Sequence, residues 1–171
     1  MSLSLYDSSV PVYIQMLTAV SRNLDKVAAF CEAKKIDPAV LLGCRLYPDM
    51  FPLMRQVQVA GDNAKGPAAR LAGVPVPSYE DNEKTIAELK ARIAKTNEFL
   101  GTLDRKAFDG AEERDIKFVT SGRERVMKGQ AYLLSHALPN FFFHVTTAYA
   151  IMRHNGVELG KRDFLVGQPA G

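Results

Sequence analysis

With 171 residues, the chain is long enough for one domain with a substantial core and too short for two comfortable ones. Apolar residues at 47% and charged residues at 24% are ordinary globular composition, which excludes disorder except at the ends. The net charge of +3 comes from basic residues interleaved with acids, so no stripe for phosphate backbones exists and no nucleic-acid partner is expected.

A first helix is predicted from Val10 to Lys35. Asp7, Ser8 and Ser9 are suitable caps, Pro11 suits the first turn, and Leu17, Val20, Leu24, Val27, Ala28 and Cys31 recur at three- and four-residue steps. Asp37 and Pro38 restart a short helix that Gly43 weakens. Tyr47-Pro48-Asp49 reads as a turn. A long second helix follows from Asp49 to Leu71 with Gly73 as its stop, and Gly66 and Pro67 predict a kink or break inside it. The prolines of Val74 to Ser78 bar helix and ladder alike, which makes that segment an extended connection.

A third helix opens around Asp81 to Lys84 and runs to about Leu103, burying Ile86, Leu89, Ile93 and Leu100. Ile116 to Val119 and Glu124 to Met127 flank Ser121-Gly122-Arg123 and read as a small hairpin or irregular loop. The fourth helix begins near Gln130 or at Pro139 and ends at Asn155, with Gly156 just past its end. The tail to Gly171 is expected to dock first and fray later. Four long helical segments with at most one hairpin make an all-α bundle the economical architecture, in one domain over residues 1–171.

No basic, then apolar leader opens the chain, and its richest apolar run, Phe141 to Met152, is interrupted by His144, Thr146 and Thr147. Neither secretion nor a membrane span is expected, and a cytoplasmic location follows. Cys31 and Cys44 lack zinc-finger spacing and are read as reduced thiols. Phosphate-loop, dinucleotide, nucleophile-elbow and His-Glu-x-x-His motifs are absent.

The informative stretch is the last helix. Asn140, His144, Thr147 and Ile151 share one face, and a helix this apolar all round is a buried one. A buried imidazole needs a partner or loses its charge. His144 therefore either packs as a satisfied core histidine or anchors a polar pocket. Gln58 and Asp62, one turn apart on the second helix, are candidates to face the same pocket, although Asp62 could simply pair with Lys65. Asn140 joins them as a weak ligand type for zinc or nickel.

The run Arg45 to Leu53, with Arg55 to Gln58 and Ala69 to Gly73, and the run Leu138 to Val157, with Gly160 to Phe164, resemble a bacterial family in the DinB/YfiT-like superfamily. That resemblance implies an up-down four-helix bundle with a short irregular or hairpin insert before the last helix. It also implies a homodimer and, in many members, a divalent metal on three histidines. Here the matching positions are Asn140, His144 and one near Gln58 or Val59, so only His144 keeps a ligand-type side chain. Three readings follow. The first is a small-molecule binder whose inter-helix pocket is lined by His144, Asn140, Gln58 and Asp62, with no cofactor expected. The second is a divalent-metal enzyme, a hydrolase or thiol transferase with zinc or nickel held by His144 and Asp62. The third is a dimeric interaction or stress protein without a working pocket. The residues leave open whether the chain is an enzyme.

Overall fold

The computed structural model describes residues 4–120 and 122–166 and is mostly helical, with one two-stranded sheet. In chain order the elements are α1 (Val10–Lys34), α2 (Pro38–Leu42), α3 (Leu53–Ala72) and α4 (Ile86–Gly101). A 3₁₀ turn (Arg105–Phe108), β1 (Asp115–Thr120) and β2 (Arg123–Lys128) come next. Then come α5 (Gly129–Tyr132), a π-helical turn (Leu133–Ala137), α6 (Leu138–His154) and α7 (Lys161–Leu165).

Local chemistry explains most of these boundaries. Ser9 stands at the N-cap of α1, yet its hydroxyl donates to the Leu5 carbonyl, because residues 4–10 already form a turn of their own. Lys35 ends α1 in the left-handed region at φ 55. The Asp37 carboxylate caps α2 by accepting from the Ala39 amide at 2.9 Å. α3 starts at Leu53, later than the turn at Asp49 suggests, because Pro52 takes an extended cap conformation and the Leu53 amide is drawn to the Cys44 carbonyl at 2.8 Å.

No break occurs at Gly66 and Pro67; α3 runs through both. Pro67 removes one intrahelical donor, but Ala60, Ala64 and Ala68 are fully buried there, and tertiary burial outweighs the local propensity. Gly73 closes the helix at φ +71. α4 likewise opens later than Asp81, because Thr85 and Glu88 form a capping box. The Glu88 amide donates to Thr85 Oγ1 at 3.2 Å, and the Thr85 amide donates to the Glu88 carboxylate at 2.9 Å.

Side-chain contacts fix the helix directions. Asp25 meets Lys90 and Thr18 meets Asn97, so α1 and α4 are antiparallel. Gln56 meets His144 and Arg70 meets Tyr132, so α3 and α6 are antiparallel. Tyr13 meets Phe141 and Phe30 lies against Gly156, so α1 and α6 run together. The order is up, down, down, up, rather than strictly alternating. Consecutive α3 and α4 are parallel, and residues 73–85 must travel back along a 20-residue helix about 30 Å long. An extended segment of that length reaches roughly 40 Å, so the proline-rich connection suffices.

One cluster of buried side chains joins all four long helices, with Tyr13, Tyr132 and Phe141 its largest fully buried members. Cys31 is buried and free, and Cys44 is half-buried and free. The hairpin lays Ile116 and Phe118 onto this core. α7 lies along α1, where Lys26 meets Asp163 at 2.7 Å and Gln15 donates to the Leu165 carbonyl at 2.7 Å. The docked start of the tail is thus present; its last residues, 167–171, lie outside the described ones. No helix among the described residues is long and apolar enough to cross a membrane.

The hairpin enters α5 through a close approach. The Gly129 amide donates to the Arg114 carbonyl at 2.9 Å, and a Cβ on Gly129 would run into the Ala111 carbonyl oxygen. Gly129→Ala is therefore expected to destabilise by about 2–3 kcal/mol in urea unfolding. Gly101→Ala, at a helix end with open space around it, should be neutral or slightly stabilising in the same assay.

Candidate functional site

His144 is buried on α6, at 9% exposure, beside Phe141, Val145 and Thr147. Its Nδ1 lies 2.7 Å from Gln56 Oε1, and Gln56 Nε2 donates to the Phe51 carbonyl at 3.1 Å. The backbone carbonyl can only accept, so it fixes the Gln56 amide with its NH₂ toward Phe51 and its oxygen toward the ring. His144 must then donate from Nδ1. Burial, aided by the Arg55 guanidinium, pushes the imidazole below its ordinary pKa and favours the neutral ring. The remaining nitrogen, Nε2, carries a lone pair and takes no hydrogen bond from the described residues. Phe143 stands edge-on to the ring at 5.2 Å and is itself exposed.

The other three candidates have different partners. Asn140 Nδ2 donates to the His136 carbonyl of its own helix at 2.6 Å. Gln58 Nε2 donates to Glu83 at 2.8 Å and Gln58 Oε1 accepts from Arg55 at 3.2 Å. Asp62 Oδ1 accepts from Lys65 at 2.8 Å and from Arg92 at 3.0 Å. The α3 partner of His144 is Gln56, where spacing from Asp62 points to Gln58. Residues 56 and 58 lie about 200° apart around a helix, so only one of the two can face α6.

Gln58 and Asp62 belong to a second polar cluster centred on Arg92. This guanidinium is buried on the stripe of Leu89, Ile93, Thr96 and Leu100, and it donates to Glu83 at 2.9 Å, to Asp81 at 2.9 Å, to Asp62 and to the Glu80 carbonyl at 2.9 Å. Burial works against ionisation of Asp81, but Arg55 and Arg92 outweigh it and hold the carboxyl below the usual range. The Tyr79 ring packs between cations, with Lys95 Nζ 4.3 Å and Lys65 Nζ 4.8 Å from its centroid. Arg92 was legible as a basic residue on an apolar stripe, a position that demands acidic partners. Among the described residues, no group of three or more His, Cys, Asp or Glu is arranged to hold a metal ion.

The geometry is that of a helical protein whose last long helix feeds one uncharged histidine into a polar seam with the second. The chain belongs to the DUF1993 family, described as a domain of unknown function, which matches residues 5–165. It is also similar to the crystal structure of a DinB family member protein from Shewanella denitrificans. The two are 42% identical, with a TM-score of 0.90 over 98% of this chain and 94% of that one. The family is thus an uncharacterised DinB-like one. No curated protein matches the chain.

Two outcomes follow from this geometry. Long-range ¹H–¹⁵N spectra at pH 7 should show His144 neutral and protonated at Nδ1. Its lowered pKa means that its contribution to stability is present above the unfolded value of about 6.5 and is lost as pH falls through the folded one. A ring protonated at Nε2 would contradict the Gln56 assignment. Arg92→Met should cost about 3 kcal/mol in urea unfolding by leaving the largely buried Glu83 carboxylate without a cation, and Arg92→Lys should recover only part of that loss.

Proposed function

We propose that the chain binds a small molecule beside His144, with the Nε2 lone pair as the acceptor for a hydroxyl or N–H of the ligand. The fixed tautomer supports this reading most directly. The Gln56 bond satisfies one ring nitrogen and fixes the tautomer, which leaves the other as an oriented acceptor for a ligand donor. Arg55, close enough to depress the imidazole, adds a cation for an acidic group on the same ligand. Gln58 and Asp62 then hold Arg55 and Arg92 in place, and Asn140 supports the ring's own helix.

In this reading the four long helices form the DinB-like bundle in one domain, and the superfamily's three-histidine metal site has been largely lost. The side-chain chemistry of Asn140 and Gln58 at two of the three matching positions supports that, as does the occupation of Asp62 Oδ1 by two cations. With Asn140 and Gln58 beside a single histidine, the residues present do not fit the triad. The chain would act as a cytoplasmic homodimer, for which the exposed Tyr47, Phe51 and Phe143 supply apolar surface.

Native mass spectrometry of the protein purified from its own host tests both parts. The expected spectrum is a dimer carrying a non-covalent small molecule that His144→Ala loses by at least about tenfold in occupancy. Ligand retained in that variant would remove His144 from the site, and a stoichiometric zinc or nickel lost with it would instead favour the metal enzyme. A monomer at micromolar concentration would remove the dimer.

A further inference from the structure

Two turns before His144 lies His136, in surroundings of a different kind. It occupies the π-helical turn Leu133–Ala137, a rare conformation that recurs at functional sites. Its ring stacks on Tyr132 with centroids 5.6 Å apart and tilts against Phe118 at 4.5 Å. Arg125 pairs with Phe118 across the hairpin, and directly opposed residues share a face of the sheet, so Arg125 lies on the His136 side. Arg70 approaches from α3, where its Nη1 donates to the Tyr132 hydroxyl at 3.3 Å.

Two guanidiniums and an imidazole thus converge without a counter-ion. Arg55, Arg92 and Arg105 each reach a carboxylate. Among the described residues Arg70 and Arg125 reach none. The imidazole adds a third donor. The Asn140 amide, fixed by its bond to the His136 carbonyl, turns its NH₂ toward His136 Nδ1 at 3.5 Å, which leaves Nδ1 as the acceptor and puts the ring proton on Nε2. Burial, together with Arg125 and Arg70, keeps the ring below its ordinary pKa. Guanidinium forks bind oxyanions two N–H groups at a time, and a cluster of donors lacking acceptors is completed by such a group.

We propose that Arg70, Arg125 and the Nε2–H of His136 form a binding site for an oxyanion group, a phosphate or a carboxylate, separate from the His144 seam. It stands independently of the function proposed for that seam.

The test titrates ¹⁵N-labelled protein with sodium phosphate and, separately, with sodium acetate, at ionic strength held constant with chloride. The His136 ring and the Arg125 Nε signals report. The expected result is a saturable shift confined to these signals, with Kd at least about tenfold weaker in Arg125→Gln. Arg125 is exposed, so the variant should melt as the parent does. Lys117→Gln, on the outer face of the same hairpin, should bind as the parent does. Saturation by phosphate assigns the site to a phosphate-bearing ligand, and saturation by acetate alone to a carboxylate. Saturation by neither, or equal weakening in Lys117→Gln, overturns the proposal.

Discussion

The structure depends on one buried guanidinium. Because α3 and α4 run in the same direction, the chain between them must cross the whole length of the helices with no ladder or helix of its own to hold it. Arg92 supplies the hold. It gathers Glu80, Asp81 and Glu83 from the end of the crossing and Asp62 from α3, so a single side chain fixes both the strap and the parallel pair. An arginine suits this role because its five donors lie in one plane and reach several acceptors at once. The same cluster positions Arg55 and Gln58, and through Arg55 it acts on the electrostatics of His144.

Much of the fold was legible in the sequence wherever a local rule decided it. The α1 stripe, the Asp37 cap, the left-handed Gly73 and the hairpin around Gly122 each follow from side-chain chemistry within a few residues. The misses share a physical cause. Gly66 and Pro67 predict a broken helix when local propensity is weighed alone, whereas the alanine-rich face of α3 gains enough from burial to carry the helix through. Thr85 and Glu88 spell a capping box that outcompetes the acids before it as the start of α4. The helix order could not be read from periodicity, which says which face is buried but not which way the neighbour runs.

The candidate site was legible to the same degree. A polar ring on an all-apolar helix pointed to His144, and burial with one fixed partner is where the structure places it. The partner's identity depended on which of two glutamines, two residues apart, faces the last helix. That is a question of helix phase: Gln56 falls on the buried stripe of Leu53, Ala60 and Ala64, whereas Gln58 shares its side of α3 with Asp62. The two histidines of the last helical column also show how amide orientation, set by backbone carbonyls, assigns protons. Gln56 leaves His144 with a free acceptor, and Asn140 leaves His136 with a free donor.

The docking of α7 on α1 ties together residues 150 positions apart, Gln15 and Leu165. At ribosomal speed that separation is about 8 to 30 s of synthesis. Through that interval Gln15 and Lys26, on the polar side of α1, wait for their α7 partners. A helix made early is completed by one made about 150 residues later.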